Sequence, residues 1–574
     1  MIADLKARIA VARKKEPADL LLKNARLINV FNSEIMETAV AIKNGFIAAV
    51  GTDYNQAEVS IDLKGQYLAP GLIDAHLHIE STLLVPAELA RIIVVHGTTC
   101  VINDPHEIAN VLGIAGIELI LEASANLPCD FFTTIPSCVP ATKMETSGAE
   151  INSAQIEKLL AYPGVVGLGE MMNYPGVIEA DQAVIEKIAA AHRSGKVIDG
   201  HAPALGGIGL QAYLSSGISS DHESLSAPEA REKMRNGMKV IIRHGSASSS
   251  LKELLPLVNE RNVESFMLGS DDREVADLIE KGHLNDLLKT AVAWGADPLL
   301  LIKMATLNPA RHYRLYDRGA LAPGYRADLV VFEDLRDFKV NLVIKNGYPA
   351  ARQGKMIVPI KHTSLPPEAL NSVHLPRTLD ESDFLLTAPR GKIAVIGVKQ
   401  NDLVTEKLDL DPPRNKHGEL VADPGKSINK IAVVERHRNS GRLALALIRG
   451  FGLHEGAVAS SVAHDSHNII VAGVEEKAMA AAVNELARIG GGLVVVDRYG
   501  QVKAELALPV AGLMSQEPAD VVAKKMKALL EAARKLGSSL PQPFMTLSFM
   551  ALPVIPSLKI TDQGLFDVDR FTFI

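Results

Sequence analysis

The chain has 574 residues, of which 47% are hydrophobic and 22% charged, and its formal net charge is -7. A chain of this length is too long to fold around a single hydrophobic core, so two to four domains are expected. The negative charge gives no general attraction to nucleic acid or anionic membranes, and the longest apolar runs fall far short of the roughly 20 residues that span a bilayer. Segment 1–15 lacks the apolar stretch of a signal peptide. Three cysteines without CxxC spacing, Cys100, Cys129 and Cys138, are typical of a reduced cytosolic compartment.

The first predicted elements are strands. Apolar runs at 20–28 and 39–50 predict strands, and Asn-Gly at 44–45 inside the second run is a strong hairpin signal. The string Ile-Lys-Asn-Gly returns at 344–347, after another apolar run. Strand-rich pieces thus lie on both sides of a long middle segment. We expect one small β-sandwich domain to be assembled from residues 1–67 and 313–375.

The middle segment, 68–312, alternates short apolar strands with helical stretches, among them helices predicted over 181–194 and 250–261. Eight strand candidates in roughly 245 residues have the size and rhythm of a (β/α)8 TIM barrel, an α/β fold. In that fold the reactive groups lie at the carboxyl ends of the strands. The polar residues that end the predicted strands are His76 and His78, Asp104 and His106, Ser137, Glu170, His201, His222, His244, and Asp271.

The last segment, 376–574, follows a stretch that contains several prolines and is predicted to form a separate α/β or α+β domain. Its predicted strands are 392–398, 431–434, 469–474 and 492–496, and its predicted helices are 475–489 and 518–536.

A pair of histidines and a glutamate carry the first chemical signals. His76 and His78 are two positions apart on a strand, so both imidazoles can reach one cation. Histidines that merely line a polar surface would give the same pattern. Glu170 closes the apolar strand 165–169, where a carboxylate is costly to bury unless it is paired or bound to metal. A salt bridge to a helix lysine is the alternative.

Three later strands end in further candidate ligands. His201 and His222 each end a strand, although a lone histidine there is more often hydrogen-bonded in the core. Asp271 and Asp272 follow the eighth strand and would equally cap a helix that begins near Arg273. The combination is more informative than any one of these residues. Independent structural roles would not be expected to place a His-x-His pair, a carboxylate, two histidines and an aspartate all at strand ends of one barrel. The set predicts a centre for divalent metal.

This pattern resembles the amidohydrolase superfamily, whose members hold one or two divalent metals with such residues. Within it the chain is similar to the bacterial adenine deaminases. The similar stretches are 76–81, 103–110, 169–173, 463–468, 552–556 and 559–562. The resemblance covers essentially the whole chain. It implies hydrolysis of free adenine to hypoxanthine and ammonia in purine salvage and adenine catabolism, usually supported by Mn(II) or Fe(II).

The ligand set that the resemblance implies is mixed. The predicted metal ligands are His76, His78, Glu170, His201, His222 and Asp271. Dihydroorotase-like and urease-like relatives bridge two metals with a carboxylated lysine on strand 4, but no lysine lies between Lys158 and Lys187. Glu170 is therefore expected to bridge a binuclear centre. The family favours Mn(II) or Fe(II), and Zn(II) also suits this donor set, because ligand type alone does not choose among these ions.

Asp271, Glu170 and His222 are the predicted catalytic residues. A bound metal lowers the pKa of water toward neutrality. On the family pattern, water attacks carbon 6 of adenine, and Asp271 accepts its proton and passes it toward the departing amino group. The adjacent Asp272 would lie next to Asp271 without binding the metal. The opposite assignment, with Asp272 as the metal ligand and proton acceptor, stays open.

Glu80, Ser81, Asp104, His106 and Asp272 are the predicted substrate-binding residues. Glu80 and Ser81 follow the metal histidines and could hydrogen-bond the purine, with a loop or helix-cap role as the alternative. Asp104, His106 and Glu107 close strand 2, where they could contact substrate, bind a further metal or orient the metal ligands.

Two other kinds of protein would show part of the same sequence pattern. A cyclic amidase of dihydropyrimidinase type would carry the same barrel and metals, and a non-catalytic metal-binding protein would carry the same ligands. The zinc cytidine-type deaminase fold is rejected, because Pro128-Cys129 has no second cysteine at the required spacing. We expect a cytoplasmic homo-oligomer, a dimer, that acts on a small molecule and binds neither nucleic acid nor membrane.

One motif lies outside the barrel. The segment 460–468 packs His464, Asp465, His467 and Asn468 into five residues before an apolar strand. A self-satisfied polar turn would explain this density. Loops beside a scaffold often carry site residues, however. The sharper hypothesis is that this loop leans over the barrel mouth and closes the adenine pocket or holds an accessory metal.

Overall fold

The computed structural model describes residues 1–246, 248–399 and 404–574. Helix α1 (Ile2–Ala12) precedes five strands, which are β1 (Ala18–Asn29), β2 (Glu34–Lys43), β3 (Phe46–Val50), β4 (Ala57–Asp62) and β5 (Tyr67–Pro70). The chain turns from β2 to β3 at Asn44 and Gly45, whose φ angles are 51° and 76°. Two positive φ angles are what a tight two-residue hairpin requires, so the predicted hairpin is confirmed.

Eight parallel strands follow in the middle of the chain. They are β6 (Leu72–Leu77), β7 (Thr98–Asn103), β8 (Asp130–Ile135), β9 (Val165–Met171), β10 (Val197–Gly200), β11 (Ser220–Asp221), β12 (Lys239–Arg243) and β13 (Phe266–Gly269). Each pairs with the next in sequence. The last strand returns to the first, because Asp271 N–H donates to the His76 carbonyl at 3.0 Å. The sheet is a nearly closed barrel, which confirms the predicted fold.

Helices lie between successive barrel strands and after the last of them. They are α2 (Pro86–Val95), α3 (His106–Leu112), α4 (Ile114–Ala123), α5 (Ser153–Leu160), α6 (Tyr174–Ile178), α7 (Gln182–Ser194), α8 (Gly207–Ser215), α9 (Ala227–Arg235), α10 (Leu251–Leu254), α11 (Val275–Glu280), α12 (Leu284–Ala293), α13 (Pro298–Met304) and α14 (Leu307–His312). The helix predicted over 181–194 is present as α7. The helix predicted over 250–261 is wrong, because α10 ends at Leu254 and a 3-10 turn, Leu255–Leu257, follows. Pro256 cannot donate a helical hydrogen bond and would clash with the preceding turn.

Strands from both flanks of the barrel share one sheet. After the barrel come β14 (Leu329–Phe332), β15 (Val340–Lys345), β16 (Tyr348–Arg352) and β17 (Lys355–Met356). Strand β14 pairs antiparallel with both β5 and β15, which completes a nine-stranded sheet with β1–β5. Its core contains buried apolar side chains from both flanks, such as Leu22, Val40, Leu329 and Ile344. The predicted β-domain is thus built from the segments on both sides of the barrel. Its exact residue boundaries stay a prediction.

The C-terminal segment forms two further sheets. The eight-stranded sheet contains β18 (Ile393–Gly397), β19 (Glu406–Leu410), β20 (Ile428–Val434), β21 (Leu443–Arg449), β22 (Ala457–Ser460), β23 (Ile469–Gly473), β24 (Gly492–Val496) and β25 (Val502–Ala507). Its helices are α15 (Glu476–Arg488), α16 (Ala519–Lys535) and α17 (Pro543–Phe549). A three-stranded sheet follows, made of β26 (Leu558–Thr561), β27 (Gly564–Asp567) and β28 (Thr572–Phe573). The predicted α+β character is confirmed.

This C-terminal unit packs where the barrel strands end. Ser515 N–H donates to the Leu83 carbonyl at 2.8 Å, and the Ser515 carbonyl accepts from Val85 N–H at 3.1 Å, shortly after β6. Asp562 accepts from the N–H and hydroxyl of Thr146 at 2.8 and 2.6 Å, in the connection after β8. The unit therefore covers part of the barrel mouth. Among the helices described, none has the length and apolar character needed to cross a membrane.

Candidate metal centre and active site

The six predicted metal ligands meet at the carboxyl ends of β6, β9, β10, β11 and β13. On one side of the cluster, the Nε2 atoms of His76 and His78 lie 3.2 and 3.0 Å from Glu170 Oε1. On the other, His201 Nδ1 and His222 Nε2 lie 2.9 and 3.5 Å from Glu170 Oε2. Each carboxylate oxygen faces a different pair of imidazoles. Glu170 can therefore bridge two cations.

The local sequence explains how Glu170 is held. A Cβ on Gly169 would lie 2.0 Å from Asp104 Oδ2, so only glycine lets Asp104 approach the strand here. Asp104 Oδ2 then accepts a hydrogen bond from Glu170 N–H at 2.9 Å. Asp104 thus orients Glu170 through the Glu170 backbone, which agrees with its predicted role of orienting the metal ligands.

Hydrogen bonding at His78 tests whether these residues fit a metal. His78 Nδ1 lies 2.8 Å from the Asp104 carbonyl oxygen. Because a carbonyl only accepts, Nδ1 carries a proton, so the neutral form of His78, which is the form that binds a cation, has its unprotonated nitrogen at Nε2, facing the cluster. Glu170 Oε1, which faces that nitrogen, is buried and makes no well-formed hydrogen bond within the described chain. A free ring nitrogen and an unpartnered carboxylate oxygen directed at one point fit a divalent cation.

The charge of Glu170 is also suited to metal binding. Burial alone would raise the pKa of this carboxyl. The neighbouring charges of His222 and His78, with hydrogen bonds from His201 and His222, instead hold it well below its usual range. Glu170 is therefore ionised at neutral pH.

Asp271 completes the cluster after β13. Its Oδ1 lies 3.3 Å from His78 Nε2 and 3.9 Å from His76 Nε2, and its Oδ2 accepts a hydrogen bond from Arg243. Burial would raise the pKa of Asp271, but the Arg243 charge and a hydrogen bond from His78 hold it well below its usual range. The carboxylate is thus ionised and can bind a metal or accept a proton.

Arg243 and Glu223 are site residues that the sequence reasoning missed. Arg243 ends β12, is 7% exposed, and contacts Glu223 at 2.6 and 2.7 Å as well as Asp271. The sequence analysis placed the polar end of this strand at His244, one residue later. His244 instead forms a hydrogen bond with the Ser249 hydroxyl. The signal in the sequence was an arginine that closes the apolar run Val240–Ile242, where a buried charge needs partners.

The predicted substrate-binding residues Glu80 and Ser81 form a 3-10 turn next to the metal histidines. Ser81 Oγ donates to Asp272 Oδ1 at 2.5 Å. Glu80 Oε1 accepts from Ile108 N–H at 3.1 Å. Burial and the nearby carboxylate of Glu107 raise the pKa of Glu80 to about 7. Glu80 can therefore donate as well as accept a hydrogen bond near neutral pH.

His106, at the start of α3, faces the metal ligands. Its ring lies edge to face against His78, with centroids 4.7 Å apart, and its Nδ1 is 3.8 Å from Glu170 Oε1. Burial would lower the pKa of His106, but the carboxylates of Asp104, 3.7 Å from Nδ1, and of Glu170 raise it to about 10. The structure thus brings the predicted site residues into one cluster.

Family comparisons agree with this site. The Amidohydrolase family model matches residues 67–349, and the Adenine deaminase C-terminal domain model matches residues 402–572. An adenine deaminase from Desulfatibacillum aliphaticivorans is 46% identical over 99% of this chain and 98% of its own length. One from Dehalococcoides mccartyi is 46% identical over 100% of this chain and 99% of its own. The chain belongs to the adenine deaminase family.

An adenine deaminase from Methanothrix thermoacetophila is also 46% identical over 98% of both chains. Among solved structures, an atrazine chlorohydrolase from Arthrobacter aurescens TC1 aligns with 59% of this chain and 97% of its own, at 16% identity and a TM-score of 0.46. That similarity is too low to bear on the chemistry.

The loop that lies within the matched adenine deaminase C-terminal domain contacts the barrel. His464 Nδ1 lies 2.9 Å from Glu107 Oε1, and His467 Nε2 lies 3.2 Å from Glu107 Oε2. Glu107 belongs to α3, directly after His106. The histidines of this loop therefore face a barrel residue rather than only their own turn, as the hypothesis of a loop over the barrel mouth predicts.

Proposed function

We propose that this chain catalyses the hydrolytic deamination of adenine to hypoxanthine and ammonia. The observation that carries the proposal is full-length identity of 46% to adenine deaminases, in a chain whose Glu170 lies between two pairs of histidines. The matched C-terminal domain favours this activity over a cyclic amidase, which would share only the barrel and its ligands. A non-catalytic metal-binding protein is not favoured either.

Two cations would be held by the residues on either side of Glu170. His76, His78 and Asp271 lie on one side, and His201 and His222 lie on the other. A divalent cation bound here lowers the pKa of water toward neutrality and so supplies the nucleophile for attack on carbon 6 of adenine. Mn(II) or Fe(II) is the proposed metal and Zn(II) the alternative, and the imidazole and carboxylate donors suit all three.

Asp271 is the proposed proton acceptor and donor. Arg243 holds one carboxylate oxygen, which leaves the other directed at the histidine cluster. The ionised carboxylate can take a proton from the attacking water and deliver it to the amino group, so that ammonia departs. Glu170, between the two groups of ligands, and His222, on the side away from Asp271, are proposed to position the water.

The purine is proposed to bind beyond these ligands, against Glu80, Ser81, His106 and Asp272. Adenine offers ring nitrogens that accept hydrogen bonds and a ring N–H that donates one. Glu80, with its pKa raised to about 7, can donate, and the Asp272 carboxyl can accept. Asp104 would act through Glu170, whose backbone it orients.

A cytoplasmic homodimer without nucleic-acid or membrane partners is also proposed. The thiols of Cys100, Cys129 and Cys138 are free and buried, which suits a reducing compartment. The net charge of -7 argues against polyanionic partners. Light scattering on the purified protein tests the dimer.

Hypoxanthine formation from adenine by the metal-loaded protein tests the activity. We expect equal amounts of hypoxanthine and ammonia from the wild type, and neither from Glu170→Ala, the matched control. Adenine that remains unchanged with the metal-loaded wild type would contradict the proposal.

A further inference from the structure

Glu107 is a buried carboxylate beside the site that the proposed reaction does not use. It lies in the first turn of α3 and is 1% exposed. Burial alone would raise its pKa, but the charge of His464 and the contact with His467 hold the pKa well below its usual range. An ionised carboxylate at this depth needs such partners. Both partners come from the C-terminal unit.

The ring geometry of His467 distinguishes a hydrogen-bonded pair from a third metal site. His467 Nδ1 accepts a hydrogen bond from Ala463 N–H at 3.1 Å. The proton of neutral His467 is therefore on Nε2, from which it can be donated to Glu107. A metal ligand would need that Nε2 unprotonated and a proton on Nδ1, where the Ala463 N–H already points. The contacts of Glu107 with His464 and His467, here called the Glu107 clamp, are ion contacts of 2.9 and 3.2 Å, and the Nδ1 contact of His467 argues against a cation between them.

Buried side chains of the C-terminal unit hold the histidine loop through hydrogen bonds. Arg436 is fully buried and donates to the carbonyl oxygen of His467 and, at 3.0 Å, to that of Ala511. Asn468 Nδ2 donates to the Thr146 carbonyl of the barrel at 2.9 Å. Burying a guanidinium against backbone carbonyls is costly. The arrangement fixes where the loop presents His467.

The residues on both sides of Glu107 face the proposed site. His106 precedes it and packs against His78. Ile108 follows it and donates its N–H to Glu80 Oε1 at 3.1 Å. A displacement of Glu107 would therefore move the His106 ring relative to the metal ligands and remove the support of Glu80.

We propose that Glu107 is a positioning residue for adenine deamination, held by His464 and His467, so that the C-terminal domain completes the active site of the barrel. The inference rests on the proposed function, because the residues that it positions are assigned there to the substrate side. It gives the C-terminal unit a part in the reaction without a contact to the reacting atoms.

A double-mutant cycle on kcat/KM for adenine tests the proposal. Glu107→Gln keeps the side-chain volume and removes the charge, and His464→Gln removes the opposing imidazole. Each is expected to lower kcat/KM about 30-fold, with the double variant within about threefold of the weaker single variant, because the two residues act as one unit. Metal content, measured by mass spectrometry of the purified proteins, should equal that of the wild type.

Asp562→Asn is the matched control. Asp562 is also buried and also joins the two units, but through Thr146 rather than α3. Its kcat/KM should stay within about twofold of the wild type, since the amide oxygen still accepts from Thr146 N–H and the amide NH2 can donate to the Thr146 hydroxyl. If Glu107→Gln does not fold, His464→Gln with His467→Gln provides a second cycle with the same expectation.

Three results would overturn the proposal. These are unchanged kcat/KM in Glu107→Gln, losses that simply multiply in the double variant, and loss of a metal equivalent in Glu107→Gln, which would indicate a third metal site. Wild-type turnover of adenine is measured first and tests the proposed function alone, so failure of that function is distinguished from failure of the clamp.

Discussion

Replacement of Asp271 by asparagine should identify the proton-transferring member of the two adjacent aspartates. The amide keeps the shape but cannot accept a proton, and it faces Arg243 without a charge. General acid–base catalysis contributes about 10²–10⁴-fold, or roughly 2.7–5.4 kcal/mol of transition-state stabilisation. We therefore expect kcat to fall at least about 100-fold.

Asp272→Asn is the comparison for this experiment. Asp272 accepts a hydrogen bond from Ser81 at 2.5 Å, which an amide oxygen can still accept. Burial and the charge of Asp271 raise the pKa of Asp272, so loss of its charge also relieves repulsion. A weakened hydrogen bond corresponds to about 1 kcal/mol, or roughly fivefold in rate. Ammonia release at saturating adenine gives kcat for both variants, on preparations of known metal content. A severe loss in Asp272→Asn with a mild one in Asp271→Asn would refute the assignment.

Three further perturbations follow from the structure. Glu170→Ala should lose metal together with activity, and wild-type activity should not respond to bicarbonate; an inactive variant with full metal content would argue against bridging. Arg243→Met leaves the buried Asp271 and the half-buried Glu223 beside a neutral side chain, so the unfolding free energy should fall by about 3–5 kcal/mol. An unchanged Tm would count against this. Burial lowers the pKa of His96 from 6.5 to about 4. Its neutral form is favoured in the fold, so its stabilisation is present above pH 6.5 and is lost as pH falls toward 4. The wild type should lose about 2 kcal/mol more than His96→Gln between pH 7 and 5, and equal losses in Tm on calorimetry would contradict the shift.

The barrel and its metal ligands could be predicted because their signals are local. An apolar run that ends in a polar residue identifies both a strand and its carboxyl end. Parallel pairing then brings those ends to the same rim. His76, Glu170 and Asp271 were found in this way, and the structure places them together.

What the sequence did not predict depends on contacts between distant segments. Arg243 acquires its role only when β12 places it between Glu223 and Asp271. For Glu107, which closes predicted strand 2 with His106, the sequence does not reveal the partners, because they lie in the C-terminal unit. By contrast, Pro256 was a local signal that should have ended the predicted helix over 250–261.

The central claim is that the metal-loaded chain deaminates free adenine. The most direct test is to incubate the Mn-loaded protein separately with adenine, adenosine and hydantoin. Release of ammonia, formation of hypoxanthine and ring opening of hydantoin are then measured. The account predicts equal amounts of ammonia and hypoxanthine from adenine, little or no ammonia from adenosine, and intact hydantoin. Ring opening of hydantoin by a preparation that leaves adenine unchanged would contradict it.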